Sequence, residues 1–266
     1  VIPPRPSRDA LHRAAREAMD AGVRWLTAEG AGQEWTRRGF KPSGEEVTAA
    51  DVEVERRMTR VLAARTPGIP VIGEETAAAG ALPAECWLLD PVDGTMNFAR
   101  GAPGYAVSLA FAAAGSPVIG VVDAPALGRR WSTGGWSTGG ERGSPPRGRD
   151  RGRELSGAVV GLTGTGSARP RTARLIGRLY ASAYRIRLQG SMSLDLVGVA
   201  EGWLDACVCL GPRPWDVAAG TALVRERGGA VLGPGGRDAT VESPVLAAGD
   251  EPLARELIAL WESSAG

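Results

Sequence analysis

The apolar positions fall into short groups whose spacing changes along the chain. Between Ser7 and Glu29, Leu11, Ala15, Ala18, Gly22, Trp25 and Leu26 recur at helical intervals, which predicts an amphipathic helix begun by a Ser cap. A loop from Gly39 to Ala50, carrying Lys41 and Thr48, leads to a second helix from Asp51 with Val54, Met58, Val61 and Leu62 as its buried stripe. Ile69 to Ile72 reads as a short strand that stops at Gly73-Glu74-Glu75-Thr76, and Cys86-Trp87-Leu88-Leu89 reads as a buried strand that ends at Asp90. Two β-rich runs, Tyr105 to Ala112 and Pro117 to Val122, are joined by a turn at Ala114-Gly115-Ser116.

The pattern then breaks. Trp131-Ser132-Thr133-Gly134-Gly135 is repeated at once as Trp136-Ser137-Thr138-Gly139-Gly140, and Glu141 to Arg153 is dominated by Arg, Gly and Pro. This reads as a surface hairpin lengthened by duplication, or as a basic flap over an anionic substrate. Beyond it strands and helices alternate: Ala158 to Leu162, Arg169 to Ala181, Arg185 to Leu188, Ser191 to Glu201, Leu204 to Cys209 and Asp216 to Arg227. Ala230 to Leu232, Val245 to Ala248 and Glu251 to Trp261 complete the series, and such alternation predicts an α/β layer. One folded unit over residues 5–262 is expected, with an α+β half at 7–138 and an α/β half at 154–262.

Composition narrows the chemistry more than the fold. The net charge of +1 gives no reason to expect a nucleic-acid polymer or a membrane as partner. No apolar stretch is long enough to span a bilayer, the first residues have no signal-type apolar region, and Cys86, Cys207 and Cys209 lack metal-type spacing; reduced thiols and a cytoplasmic location are expected. His12 is the single histidine and sits in an Arg-rich helical stretch. Chemistry here must therefore run without imidazole, which excludes serine–histidine hydrolases and favours carboxylates with a metal.

Asp90-Pro91-Val92-Asp93-Gly94-Thr95-Met96-Asn97-Phe98 supplies the parts. Two acids flank a Pro that fixes the backbone, Gly94 permits a sharp turn, and Thr95 opens a short helix whose first amides face outward. Carboxylates suited to divalent cations beside amides suited to phosphate suggest a metal-dependent phosphatase. Asp93 alone could merely cap a helix, and so could Asp51 and Asp216, but paired acids on a bent segment exceed what a cap needs. Glu74 ends a strand after a Gly, as Asp90 ends one, and is a third candidate ligand; Glu75 reads as solvent-facing.

The whole set resembles the inositol monophosphatase family of magnesium-dependent, lithium-sensitive phosphatases, from about Leu11 to Leu257. The motifs run in that family's order: Lys41 with Val47-Thr48-Ala49-Ala50-Asp51, Gly73-Glu74-Glu75, Asp90 to Phe98, Gly190 to Leu196, Ala200-Glu201-Gly202, Asp205-Ala206, and Trp215-Asp216-Val217-Ala218-Ala219-Gly220. The resemblance implies a layered αβαβα sandwich and hydrolysis of a small phosphate monoester. It implies one magnesium ion on Glu74, Asp90 and the Val92 carbonyl, a second on Asp90, Asp93 and Asp216, and room for a third, weaker one near Glu74. A divalent ion lowers the pKa of water, and Thr95, polarised by Asp51, would take the proton together with Glu74. Asp93, Gly94, Thr95, Gly190, Ser191, Met192, Cys209 and Asp216 are the expected substrate contacts, and a homodimer is compatible with the family.

Two features depart from it. Inositol-preferring members carry an acid where this chain has Cys209, and a thiol accepts sugar hydroxyls poorly. The Arg-rich flap, Arg142 to Arg153, has no clear counterpart in the family. Both point away from inositol monophosphate toward a sugar, nucleotide, amino-alcohol or specialised-metabolite phosphate, as in a 3′-nucleotidase or a histidinol-phosphatase-like member. A non-catalytic phospholigand binder is the remaining alternative, although all four acids it would be expected to lose are present. Cys207 and Arg213 also stand at the C-x5-R spacing of cysteine phosphatases, but Pro212 lacks the amide such a loop needs.

Overall fold

In the computed structural model the Ser7 hydroxyl accepts from the Ala10 amide at 3.2 Å and starts α1 (Arg8–Ala28), as the spacing predicts. The structure describes residues 5–30, 32–40, 46–78, 80–135, 138, 154–164 and 169–265; Lys41, most of the second Trp-Ser-Thr-Gly-Gly copy and the Arg142 to Arg153 flap lie outside them. A short turn of helix, α2 (Gln33–Thr36), and an antiparallel ribbon of β1 (Arg38–Phe40) and β2 (Glu46–Thr48) lead into α3 (Ala49–Arg65). Then come β3 (Val71–Gly73), β4 (Glu85–Asp93), the short α4 (Thr95–Ala99), β5 (Ala106–Ala113), β6 (Ser116–Ala124) and β7 (Arg129–Ser132). Ala114 and Gly115 take φ of 49° and 73°, closing the β5–β6 hairpin in a two-residue turn. The second half follows as β8 (Val159–Thr163), α5 (Arg169–Ser182), β9 (Arg185–Arg187), α6 (Met192–Glu201) and β10 (Ala206–Leu210). It ends with α7 (Pro214–Glu226), β11 (Ala230–Leu232), β12 (Val245–Gly249) and α8 (Glu251–Glu262).

The strands make two mixed sheets in the orders β3-β4-β5-β6-β7 and β11-β12-β10-β8-β9. Strand β4 shows how the layers arise. Trp87 and Leu89 point to one face, where Met19 and Leu26 of α1 and Met58 of α3 cover them. Cys86 and Leu88 point to the other, into a core shared with Leu196 of α6, Val217 of α7 and Leu246 of the second sheet. Burial on both faces explains an unbroken apolar run where a half-exposed strand would alternate. On the far side of the second sheet, Leu175 of α5 and Leu257 of α8 close over Val160 and Val208. The order of layers is therefore α1/α3, first sheet, α6/α7, second sheet, α5/α8, the expected αβαβα sandwich.

The middle layer fits closely. A Cβ at Gly120 of β6 would meet the Ala219 carbonyl oxygen of α7 at 2.3 Å, so only glycine lets this helix lie so near the sheet. With α7 seated there, its N-terminus comes to the end of β4 that carries the acids.

Candidate active site

The strand expected to end at Asp90 runs further in the structure. Strand β4 continues to Asp93, and its register against β5 slips between Asp90, opposite Ser108, and Asp93, opposite Ala106. Pro91 cannot donate to a ladder, so a bulge falls where both acids stand. Asp90 Oδ1 accepts from the Val92 amide at 3.0 Å, which fixes its carboxyl across the bulge. Gly94 then adopts φ 94°, ψ 38° and hands the chain to α4.

Two helices present an aspartate at the same place in their first turn. Helix α3 begins before Asp51, not at it, and Asp51 Oδ2 reaches back to the Thr48 amide at 2.8 Å and its hydroxyl at 2.5 Å. Helix α7 likewise begins at Pro214, and Asp216 Oδ2 accepts from the Arg213 amide at 2.8 Å. One carboxylate oxygen holds the helix start in each case, which leaves the other for the site. Asp51 uses it on Thr95: the Thr95 Oγ1 lies 3.1 Å from Asp51 Oδ1 and 3.0 Å from the Val92 carbonyl.

Asp93 is cradled by the start of α6. Its Oδ2 accepts from Ser191 Oγ at 2.8 Å and the Ser193 amide at 2.6 Å, and its Oδ1 from the Met192 amide at 3.3 Å. Ser193 Oγ in turn donates to the Asp216 carbonyl at 3.1 Å, joining the two helix starts. Glu74 follows β3 directly, its amide donating to the Leu89 carbonyl at 3.1 Å. Oxygens of Glu74, Asp90 and Asp216 come within 4.8 Å of one another, and Asp93 lies beside this trio rather than in it. All four acids, with Val92, Gly94, Thr95, Gly190 and Met192, line one cleft of about 1020 Å³.

So much negative charge in so little space must be neutralised. Burial, then the charges of Glu74, Asp93, Asp216 and Asp51, push the Asp90 carboxyl well above the carboxylate range. Burial raises Asp93 to about 6 against the pull of its Ser191, Ser193 and Met192 donors, and raises Asp51 to about 6 against the Thr48 bonds. Hard oxygen donors that repel one another unless a cation sits between them are the chemistry of a magnesium site. The residues present fit that ion.

Two expected substrate contacts are sealed from the cleft. Ser191 is fully buried, because its hydroxyl serves Asp93 and caps α6 through the Leu194 amide at 3.2 Å. Cys209 is also fully buried: β10 is covered on both faces, and it is its register partner Thr163 on β8 that reaches the cleft. A hydrogen bond with Cys207 and then burial raise its thiol well above the ordinary range, so it stays protonated. Cys207 is equally inaccessible, which removes it as a nucleophile, while its spacing partner Arg213 stands on the cleft wall. Sequence reasoning missed the buried Asp195, which accepts from Thr163 Oγ1 and, at 2.7 Å, from Gln189 Nε2. Its place inside the Gly190 to Leu196 motif was the available signal.

Layered sheets with carboxylates gathered from two helix starts, a strand end and a strand bulge mark a metal-dependent phosphatase of phosphate monoesters. A family model described as the inositol monophosphatase family matches residues 8–264, and the chain belongs to that family. It is 34% identical over 249 residues to the inositol-1-monophosphatase ImpA of Mycolicibacterium smegmatis, covering 90% of this chain and 87% of that protein. It is 35% identical over 230 residues to a histidinol-phosphatase of Mycobacterium tuberculosis, covering 81% of this chain and 86% of that one. Among solved structures, the IMPase of Thermotoga maritima superposes with a TM-score of 0.79 at 27% identity, over 96% of this chain and 98% of that one. The enzyme is a phosphoric monoester hydrolase, its family uses magnesium, and no described helix is long and apolar enough to cross a membrane.

Proposed function

We propose that this enzyme cleaves a small phosphate monoester by direct attack of water, in the cleft where Glu74, Asp90 and Asp216 converge to within 4.8 Å. That convergence carries the reading. Glu74, Asp90 and the Val92 carbonyl would hold one magnesium ion and Asp90, Asp93 and Asp216 a second, with room for a third near Glu74. When bound, magnesium polarises phosphoryl oxygens, offsets charge on the leaving group and lowers the pKa of water.

The chain's own groups do the rest. Thr95 donates toward Asp51 or Val92, which leaves its lone pairs to accept from a water in the cleft and orient it in line with phosphorus. Glu74 takes the proton that water gives up. The Gly94 and Thr95 amides hold phosphate oxygens, and phosphoryl transfer of this kind depends mainly on such positioning. Gly190, Met192, Thr163 and Arg213 face the alcohol portion. No covalent intermediate is invoked, since the cysteines are buried free thiols. The same buried thiols support a cytoplasmic setting. A homodimer is supported by the apolar side chains exposed around edge strand β9, Tyr180, Tyr184 and Leu188, and sedimentation analysis tests it.

The test is phosphate release from inositol, sugar, nucleotide and histidinol phosphates, in magnesium and in chelator. Turnover of at least one ester is expected, abolished by chelator and reduced by orders of magnitude in Asp90→Asn. A well-folded protein that binds these esters without hydrolysing any refutes the catalytic reading and leaves a phospholigand binder.

A further inference from the structure

Glu55 is a buried carboxylate with no part in the mechanism so far. It lies on α3 one helical turn after Asp51, 1% exposed, and among the described residues its carboxylate meets only two neutral donors. The Glu75 amide donates to Oε2 at 2.9 Å and the Thr76 hydroxyl to Oε1 at 2.6 Å. Gly73 completes the enclosure, since a Cβ there would lie 2.2 Å from the Glu55 carboxyl carbon. Residues 73, 75 and 76 thus wrap one carboxylate, and the Ala77 amide closes the turn on the Gly73 carbonyl at 2.8 Å. Within that turn the side chain of Glu74 is the one directed to Asp90 and Asp216.

Burying a carboxylate with only neutral partners is costly, and an apolar side chain would serve packing better. We infer that Glu55 is a positioning residue: it clamps the Gly73 to Ala77 turn so that Glu74 is held at the metal-binding and proton-accepting position. This rests on the proposed role of Glu74. It makes α3 the common reference for both groups that handle the water, Asp51 orienting Thr95 from one turn and Glu55 orienting Glu74 from the next.

Calorimetric titration of the metal-free protein with magnesium alone, with no ester present, reads the clamp directly. Glu55→Ala should weaken magnesium binding by about 10- to 100-fold, the usual effect of removing an outer-shell partner. In turnover, kcat should fall while KM for the ester stays within about twofold, because phosphate contacts are untouched. Glu55→Gln keeps one acceptor oxygen and should restore most of the affinity. Thr76→Val, which removes one clamp bond and leaves Glu55 in place, should shift affinity the same way by a smaller factor, and it serves if Glu55→Ala does not fold. Glu74→Gln separates the two readings. Normal magnesium binding in that variant overturns the role of Glu74 itself. Weak binding in Glu74→Gln with normal binding in folded Glu55→Ala or Thr76→Val overturns the clamp alone, as does a Glu55→Gln protein no better than Glu55→Ala.

Discussion

Asp51 and Thr95 stand 44 positions apart in the chain, yet Thr95 Oγ1 lies 3.1 Å from the Asp51 carboxylate. With the Val92 carbonyl at 3.0 Å on its other side, the contact fixes the Thr95 hydroxyl, and it does so from a helix that is itself locked by the same carboxylate. Thr95→Ala should lower kcat by about 10²-fold, the order of loss that misplacing a reacting group brings, with KM changed only a few-fold. Thr95→Ser should recover much of the rate. Steady-state kinetics on the best ester from the panel checks both.

The cradle under Asp93 can be weakened one donor at a time. Ser191→Ala removes a bond to Asp93 and the cap of α6 together. We expect magnesium affinity to fall about tenfold and stability to fall by about 1 kcal/mol. Titration calorimetry and thermal melts read the two effects separately.

Asp195 gives a pH dependence whose sign is defined. Burial raises its carboxyl to about 6 from 3.8, against hydrogen bonds from Thr163 and Gln189. A carboxyl raised in the folded state contributes stability that is full below the unfolded pKa and lost as pH rises through the folded one. In chelator, Tm should therefore fall as pH rises from about 4 to about 7, and Asp195→Asn should flatten part of that slope. A metal-free wild-type protein whose Tm rises over that window contradicts the assignment.

Neither strand cysteine should matter to chemistry. Cys207→Ser and Cys209→Ala are expected to leave kcat and KM within about twofold while lowering Tm, since both alter a fully buried position. A dead Cys207→Ser protein, or a phosphocysteine trapped by rapid quench, would revive the cysteine-phosphatase route.

The periodic segments were legible in the sequence because burial on one or two faces leaves a pattern: α1, the alternating second half and the run at Cys86 to Leu89 all form where expected. The acids Glu74, Asp90, Asp93 and Asp216 could be read from their places at strand ends and helix starts. What could not be read is which way an individual side chain turns. Glu53 and Glu55 are two residues apart on one helix; Glu53 meets Arg56 and Arg57 at the surface, while Glu55 is sealed under the Gly73 turn. Cys209 failed for the same reason. A position matched to an acid of the family carries no information about whether its side chain clears the sheet, and here it is its neighbour Thr163 that lines the cleft.

The middle helical layer has a consequence for how the enzyme is made and lost. Asp90 and Asp93 come from the first sheet, whereas Asp216 and the donors that hold Asp93 come from α6 and α7, encoded far downstream. During synthesis the acids of β4 are made long before Asp216 and the α6 donors, and the proposed site on Asp90, Asp93 and Asp216 is incomplete until the last third of the chain has docked. An ion held by Asp90, Asp93 and Asp216 would be a staple between distant segments. Thermal stability would then rise with dissolved magnesium.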